Sequence, residues 1–442
     1  MRLIVENIAK VRKADVKLNG LTVIAGENST GKSTIGKILF STIRALADAR
    51  DDDANRREKV INKHVTSLYT RLRGVMRRYD DQDFSELFPL LKRDFTKSLF
   101  DAEDSGTFSE YHNKLVKAIQ NLPEATPRLK ALMLRDIDNI VINVRNKDNR
   151  AATVKTMMEY SIESEFMNNI CSYGHSTASV KLRIETNSDE DYLDLQIKNE
   201  EVASVKIAGG RPLADATYVE SPLYLHMLDT LLNADTFREG SSRVIRRSML
   251  PIHIKDLAEK IDILRLASPS PLFANNLHIR DIIDGEFQYD RKKRSLLFMQ
   301  KGKDISPINV ASGIKSFGLI QMLLETNTID ADRILIWDEP ENHLHPQWQI
   351  MFAKLLVQLS KMGIPIVVST HSPYFVQGVR YFAAQQDIEP FVNYYLAEEG
   401  EDNLSILREV TEDLNAIFIK LSKPLNDIMN VDLVRQEKNI NG

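Results

Sequence analysis

The sequence predicts an α/β fold, on three observations. An apolar run of strand length, Leu21 to Ala25, passes into a glycine-rich loop and then a helix-spaced segment. Residues 309 to 380 alternate helix, buried strand, loop, helix, buried strand, helix, the pattern of a parallel sheet covered by helices. Between them, residues from about 48 to 165 are rich in Arg, Lys, Asp and Glu and poor in Gly, which points to a helical insertion.

Each element has its own signal. Leu3 to Val5 and Val16 to Leu18 are short β-type runs ahead of the Leu21 strand. From Ser33 to about Ala47, Ile35, Ile38, Leu39, Ile43 and Leu46 keep helical spacing. In the insertion the sets Leu68, Leu72, Val75 and Leu87, Leu90, Leu91 do the same, too irregularly for a long coiled coil. Val180, Leu182 and Ile184, then Leu193, Leu195 and Ile197, alternate with polar residues around a polar loop from Asn187 to Asp191, a β-hairpin pattern. The core resumes near Ala216, with a strand at Thr217 to Val219, then Ser221-Pro222 and a helix. A second hairpin is expected at Phe287 to Tyr289 and Leu296 to Met299, around the basic turn Arg291 to Arg294. A strand at Asn393 to Leu396 and a helix from Asp413 to Met429 close the chain.

Composition narrows the function classes. The 442 residues carry 58 basic and 62 acidic side chains, a net charge of -4, so nucleic acid would need a local patch. The single cysteine, Cys171, excludes a disulfide framework or a cysteine zinc site within one chain and suits a reducing cytoplasm. The opening run is of strand length and no apolar stretch approaches 18 residues, so neither a signal peptide nor a membrane span is expected.

Four segments carry chemistry. Gly26-Glu27-Asn28-Ser29-Thr30-Gly31-Lys32-Ser33 satisfies G-x-x-x-x-G-K-[ST] between a strand and a helix. Glycines let the backbone wrap phosphate, consecutive N–H groups form an anion nest, and the helix N-terminus adds partial positive charge. Lys32 would neutralise the β- and γ-phosphates of ATP, and Ser33 would ligate Mg²⁺. The run Arg333 to Pro340 ends in Asp338 and Glu339. A central strand would deliver Asp338 to Mg²⁺ at the sheet's C-terminal edge and Glu339 to the attacking water as general base. Ile366 to Pro373 is another buried strand ending in a histidine, His371, placed to hydrogen-bond the γ-phosphate. Asn309 to Ser316 precedes an apolar helix that Ser312 and Gly313 would cap; the bland reading is a helix cap, the functional one an anion site offered to a partner subunit.

In this order the motifs resemble those of the ATP-binding cassette (ABC) ATPases, in the soluble branch with SMC-type and break-repair ATPases. The likeness is strongest to the ATPase part of the overcoming-lysogenization-defect (OLD) family and related AAA-like ATPases of bacterial defence operons. The resemblance implies a P-loop ATPase head with a mixed sheet core built from 1–47 and 216–430, an insertion over 48–215 with a β-hairpin near 179–207, and a tail over 431–442. It makes Gly26 to Thr34 the Walker A loop, Asp338 and Glu339 the Walker B pair, His371 the switch histidine, and Glu341 to Pro346, with His343 and His345, the D-loop. Ser312 and Gly313 open the signature helix, where Ile314-Lys315 replaces the usual Gly-Gln and Lys315 would serve phosphate. No Q-loop glutamine is found; Tyr218 to Ser221 occupies its place.

Such families bind MgATP between two copies, with ATP as the glue. The expected activity is ATP hydrolysis in a homodimer or higher homo-oligomer. About 70 residues follow His371, too few for a nuclease domain, so the chain is expected to control a separately encoded effector, a nuclease or toxin, in anti-phage defence. The alternative is a DNA-associated ATPase of repair or replication control. Arg71, Arg73, Arg77 and Arg78, or Arg243, Arg246 and Arg247, would supply the basic groove; with Asp80, Asp81 and Asp83 nearby, the first set also reads as a solvated helix face.

Overall fold

The computed structural model describes residues 1–49, 61–62, 64–72, 84, 87–89, 95–99, 102, 106–122, 125–145, 150–184, 191–208, 213–232, 250–265, 277–293, 295–400 and 402–423. Val75, Leu90, Leu91, Arg73, Arg77, Arg78, Asp80, Asp81, Asp83, Arg243, Arg246, Arg247, Arg294, most of the loop at 187–191, the end of the last helix and the tail at 431–442 lie outside them. The chain divides into two compact units, Met1–Arg44 with Ser161–Gly442, and Ala45–Tyr160.

The first unit is built on one sheet. Its strands are β1 (Arg2–Ile8), β2 (Val11–Lys17), β3 (Leu21–Gly26), β4 (Thr177–Arg183), β5 (Asp191–Lys198), β6 (Glu201–Ile207) and β7 (Asp215–Val219). After a separate three-stranded sheet of β8 (Glu286–Asp290), β9 (Ser295–Gln300) and β10 (Lys303–Ile305) come β11 (Arg333–Asp338), β12 (Ile366–Thr370), β13 (Val392–Glu399) and β14 (Ser405–Glu409). Among the described residues the large sheet has 11 strands in the order β6-β5-β4-β1-β2-β14-β13-β3-β12-β11-β7. From β13 to β7 the neighbours are parallel; from β6 to β2 they are antiparallel.

The two halves of the sheet follow from sequence pattern. β3 and β12 are buried at every position, as parallel strands with both faces covered must be. β1 alternates buried and partly exposed positions, with Leu3, Val5 and Ile8 inward. The hairpin expected inside the insertion joins this half: β4 pairs with β1 from Arg2↔Arg183 to Glu6↔Ser179, and β5 carries a third strand, β6. Its apolar face has β1 to pair beside, which local periodicity does not disclose. Neither β6 nor β14 is anticipated by the sequence reading.

The helices are α1 (Lys32–Asp48), α2 (Phe108–Gln120), α3 (Pro127–Arg145), α4 (Arg150–Phe166), α5 (Ile252–Asp262), α6 (Ser312–Glu325), α7 (Pro346–Lys361) and α8 (Pro373–Gln385), with shorter ones at Leu228–Leu232 and Ile279–Ile283. The helix expected after Pro222 begins as a 3-10 turn over Pro222–Met227. Beneath β11, Trp337 meets Phe352 edge-on at 4.9 Å, and Phe352 meets Phe317 at 5.2 Å, contacts worth about 0.5–1.5 kcal/mol each beyond burial. This cluster ties β11 to α6 and α7.

The unit Ala45–Tyr160 has its own apolar cluster, including Leu68, Phe88, Phe95, Leu115, Ile137 and Ile140. Phe88 and Phe95 stack at 5.6 Å, and the Tyr69 hydroxyl donates to Pro89 O at 2.8 Å.

Candidate functional site

Four parallel strands end side by side. The register sets Ala25 opposite Thr370, Asp338 opposite Ser369 and Val219 opposite Trp337. The glycine-rich loop, His371, Glu339 and Glu220 therefore leave adjacent strands at one edge, the carboxyl end where ligands bind in open α/β sheets.

Left-handed backbone at Ser29 (φ 64°) and Gly31 (φ 79°) turns the loop from β3 into α1. Gly31 also has no room for a side chain, since a Cβ there would lie 2.7 Å from Val11 Cγ2. Glu27, Asn28 and Ser29 are exposed, Ser33 and Thr34 half-buried. Thr30 Oγ1 donates to Glu27 O at 2.8 Å, closing the turn. Lys32 is 4% exposed, and its Nζ donates to Gly26 O at 3.0 Å and Glu27 O at 2.7 Å. Burial pushes its ammonium below the usual pKa, against the pull of Glu339, Asp338, Glu341 and Glu27. Lys32 thus sits in the field of the carboxylates at the ends of the neighbouring strands.

Asp338 is buried, with the Tyr218 hydroxyl donating to Oδ2 at 3.1 Å and the Ser369 hydroxyl to Oδ1. The chain then turns sharply at Glu339 (φ 46°), whose N–H donates to Ser369 O at 2.9 Å. A left-handed non-glycine residue is a strained position of the kind found at functional sites. The Glu339 carboxylate takes Asn342 Nδ2 at 3.0 Å on one oxygen, and its other oxygen lies 3.3 Å from His371 Nδ1. His371 Nδ1 is also 3.3 Å from Glu341 Oε1, and the ring is 40% exposed. Two carboxylates thus bracket Nδ1 while the ring still reaches solvent.

Sequence-predicted residues on α6 are placed differently from expectation. Ser312 is the first helical residue rather than the cap, and its Oγ donates to His343 O at 3.3 Å. Gly313 packs against the segment after β11 and the first turn of α7, where a Cβ would lie 3.0 Å from Leu344 Cδ2 and 3.1 Å from Trp348 Cε3. Lys315, expected at phosphate, is 2% exposed and turned inward onto His226 Nε2. Its position one turn into α6 points it at the Pro222–Met227 segment rather than outward. Burial lowers its pKa.

Further residues shape the site beyond the candidates for catalysis, nucleotide and metal. Glu341 is buried and receives the turn after β12. Tyr218, the penultimate residue of β7, and Glu220, just past its end, stand at the place of the Q-loop. His253, on α5, places Nδ1 2.7 Å from Glu165 Oε2 and Nε2 3.2 Å from Glu220 Oε2. Burial works against its charged form, but these hydrogen bonds raise its pKa overall. The same contact, with Tyr224 and Lys37 assisting, holds the Glu220 carboxyl down at about 2. A polar residue at the end of an apolar strand is a usable sequence signal for Glu220; His253 has none.

One carboxylate, Asp338, and one hydroxyl, Ser33, are a donor set that fits Mg²⁺, which takes one or two carboxylates and shares the rest with phosphate and water. Among the described residues no group of three or more His, Cys, Asp or Glu could hold a metal by itself. Nor is any helix among them long and apolar enough to cross a membrane. Of the expected basic stripe, Arg71 is described; it is bound to Asp136 and Ser67, its side chain 14% exposed, which removes it from a nucleic-acid groove.

Residues 215–377 match the family described as "AAA domain, putative AbiEii toxin, Type IV TA system". Over 100 residues the chain is 30% identical to a "putative ABC transporter ATP-binding protein" of Clostridium acetobutylicum, a stretch that spans 22% of this chain and 39% of that relative. Among solved structures, an Smc head bound to the C-winged helix domain of ScpA is 9% identical, with 94% of this chain and 98% of that one covered and a TM-score of 0.39. An SMC head domain from Thermotoga maritima is 11% identical, over 92% and 98%, with a TM-score of 0.35. The family match runs from β7 into α8, the stretch whose strand ends carry Glu220, Asp338, Glu339 and His371, and the chain spans well under half the length of the cassette relative.

Proposed function

We propose that this chain binds MgATP, hydrolyses it, and through nucleotide-driven pairing of two copies controls a separate effector in anti-phage defence. The observation that carries the enzymatic part is that the loop holding Lys32, the Asp338–Glu339 pair and His371 leave the neighbouring parallel strands β3, β11 and β12 at one edge of the sheet. A lysine so held meets a phosphate chain whose other charge is answered by metal at Asp338. In this reading the loop from Gly26 to Thr34 wraps the phosphates, and Ser33 and Asp338 hold Mg²⁺. The metal, when bound, would neutralise phosphate charge and orient the terminal phosphoryl group.

Glu339, held by Asn342 at one oxygen, takes the proton of the attacking water. His371, bracketed at Nδ1 by Glu339 and Glu341, turns its exposed edge to the terminal phosphate as a donor. Ser312 and Gly313, held by the D-loop, would meet the nucleotide of a partner copy. Lys315 would join them only after leaving His226. Steady-state phosphate release with Mg²⁺ tests the reading: turnover lost in Lys32→Ala and Glu339→Gln supports it, and full turnover in either overturns it.

The effector half rests on the family's description, which names a toxin–antitoxin system, and on the resemblance to defence ATPases. A single thiol and a soluble-type composition fit a cytoplasmic setting. Affinity capture from cells carrying the native operon, with wild type and Glu339→Gln, tests it. A co-encoded protein held more tightly by Glu339→Gln is the expected result, and no co-encoded protein with either is the contrary one.

A further inference from the structure

Tyr218 is 1% exposed, and its hydroxyl donates to Asp338 Oδ2 at 3.1 Å. Its ring is clamped on two sides. Gly36 of α1 lies so close that a Cβ would stand 3.0 Å from Tyr218 Cε2. On the other side the His253 ring meets it edge-on, centroids 4.7 Å apart and planes at 64°.

His253 is itself fixed from both ends. Its Nδ1 faces Glu165 Oε2 at 2.7 Å, its Nε2 faces Glu220 Oε2 at 3.2 Å, and its backbone N–H donates to Glu165 Oε1 at 3.0 Å. The side chains of His253 and Glu165 are 1% and 0% exposed. With a carboxylate oxygen opposite each ring nitrogen, the arrangement favours the doubly protonated ring, in which both nitrogens donate. Tyr224 donates to the same oxygen of Glu220 at 2.6 Å, and Lys37 stands 3.9 Å from the other. Burying His253 with Glu165 is costly, Glu220 being the partly exposed end of the cluster. The cluster holds the ring whose hydroxyl reaches Asp338.

We infer that Tyr218 is a positioning residue for Asp338, and that the Glu165–His253–Glu220 cluster acts through Tyr218 to orient that carboxylate toward a divalent metal. The inference rests on the reading of Asp338 as the metal carboxylate. It also gives the Q-loop place a role without a glutamine: the end of β7 reaches the metal site through a tyrosine hydroxyl. Hydrogen-bond partners of a ligating carboxylate fix its orientation, and their loss costs about 10–100-fold in metal affinity.

The experiment is a Mn²⁺ titration of the full chain with ATP, followed by electron paramagnetic resonance, beside calorimetric ATP binding in EDTA. Tyr218→Phe keeps the ring and its packing and removes only the hydroxyl. It is expected to weaken Mn²⁺ binding about tenfold or more while leaving metal-free ATP affinity within about twofold. His253→Gln is expected to weaken Mn²⁺ binding less, and Tyr218→Phe with His253→Gln no more than Tyr218→Phe alone, because the histidine acts through the hydroxyl. Wild-type Mn²⁺ affinity in Tyr218→Phe, or full additivity in the double variant, overturns the inference. Asp338→Asn separates the two levels. If it abolishes Mn²⁺ binding while Tyr218→Phe does nothing, only the inference falls; if Asp338→Asn itself binds Mn²⁺ normally, the metal reading beneath it falls too.

Discussion

Glu341 Oε1 accepts the backbone N–H of His371 at 2.6 Å and lies 3.3 Å from the same residue's Nδ1. The same oxygen takes the Thr370 hydroxyl at 2.7 Å and the Ser372 N–H at 3.1 Å. Burial pushes the Glu341 carboxyl up, while these donors favour its ionised form. The turn that presents His371 is thus folded around a carboxylate from the segment after β11, so the ends of β11 and β12 are positioned together.

Glu341→Ala leaves buried donors without an acceptor. We expect a loss of about 2–4 kcal/mol in urea unfolding, and about 1 kcal/mol for Glu341→Gln, whose amide oxygen still accepts. Equal unfolding midpoints for wild type and Glu341→Ala would show that the turn holds its shape without this anchor.

Glu339→Gln retains the shape of the side chain but not its basicity. Turnover should fall by about 10²–10⁴ with MgATP affinity little changed. Sedimentation should then show an ATP-dependent dimer, and a monomer at saturating MgATP would refute the pairing model.

Gly31→Ala combines a φ of 79° with a contact to Val11. We expect about 1–3 kcal/mol of destabilisation and weaker ATP binding by calorimetry. Unaltered values on both counts would mean that the loop tolerates a different path.

The His253 cluster should leave a pH signature. The pKa of His253 is raised above its ordinary 6.5, so its contribution is complete below that value and disappears as pH rises through the folded pKa. Glu220 is lowered from 4.5 to about 2, so its share is complete above 4.5 and disappears as pH falls toward 2. Urea unfolding from pH 5 to 9 should show wild type losing stability on the alkaline side more steeply than His253→Gln. Parallel profiles would assign the alkaline loss to other groups.

Arg71→Ala tests the DNA alternative. Breaking its buried pair with Asp136 should cost about 3–5 kcal/mol in the unfolding of Ala45–Tyr160, followed by proteolysis across that region. Loss of DNA-stimulated ATP turnover in a folded Arg71→Ala protein, steeply salt-dependent in wild type, would restore the basic-groove reading.

Gly26 to Ser33, Asp338 with Glu339, and His371 were legible in the sequence because each sits at an apolar strand's end, where neighbouring residues dictate the local geometry. The β4–β5 hairpin was legible as a hairpin and not as part of the main sheet, since its partner β1 lies about 175 residues earlier and leaves no local trace. The resemblance sets Lys315 at phosphate, but its direction in the structure depends on His226, 89 residues away, which local pattern does not disclose. The same limit hid His253, which meets Glu165 from 88 residues away.

The sequence by itself determined the α/β class, the glycine-rich turn between strand and helix, and the residues that end the parallel strands, because short-range sterics and hydrophobic periodicity act within a few residues. Only the tertiary structure decided which side chains orient them: Tyr218 on Asp338, Glu341 on His371, Glu165 and Glu220 on His253. Those contacts are hydrogen bonds between buried groups far apart in the chain, and they exist only once packing has excluded the water that would otherwise satisfy them.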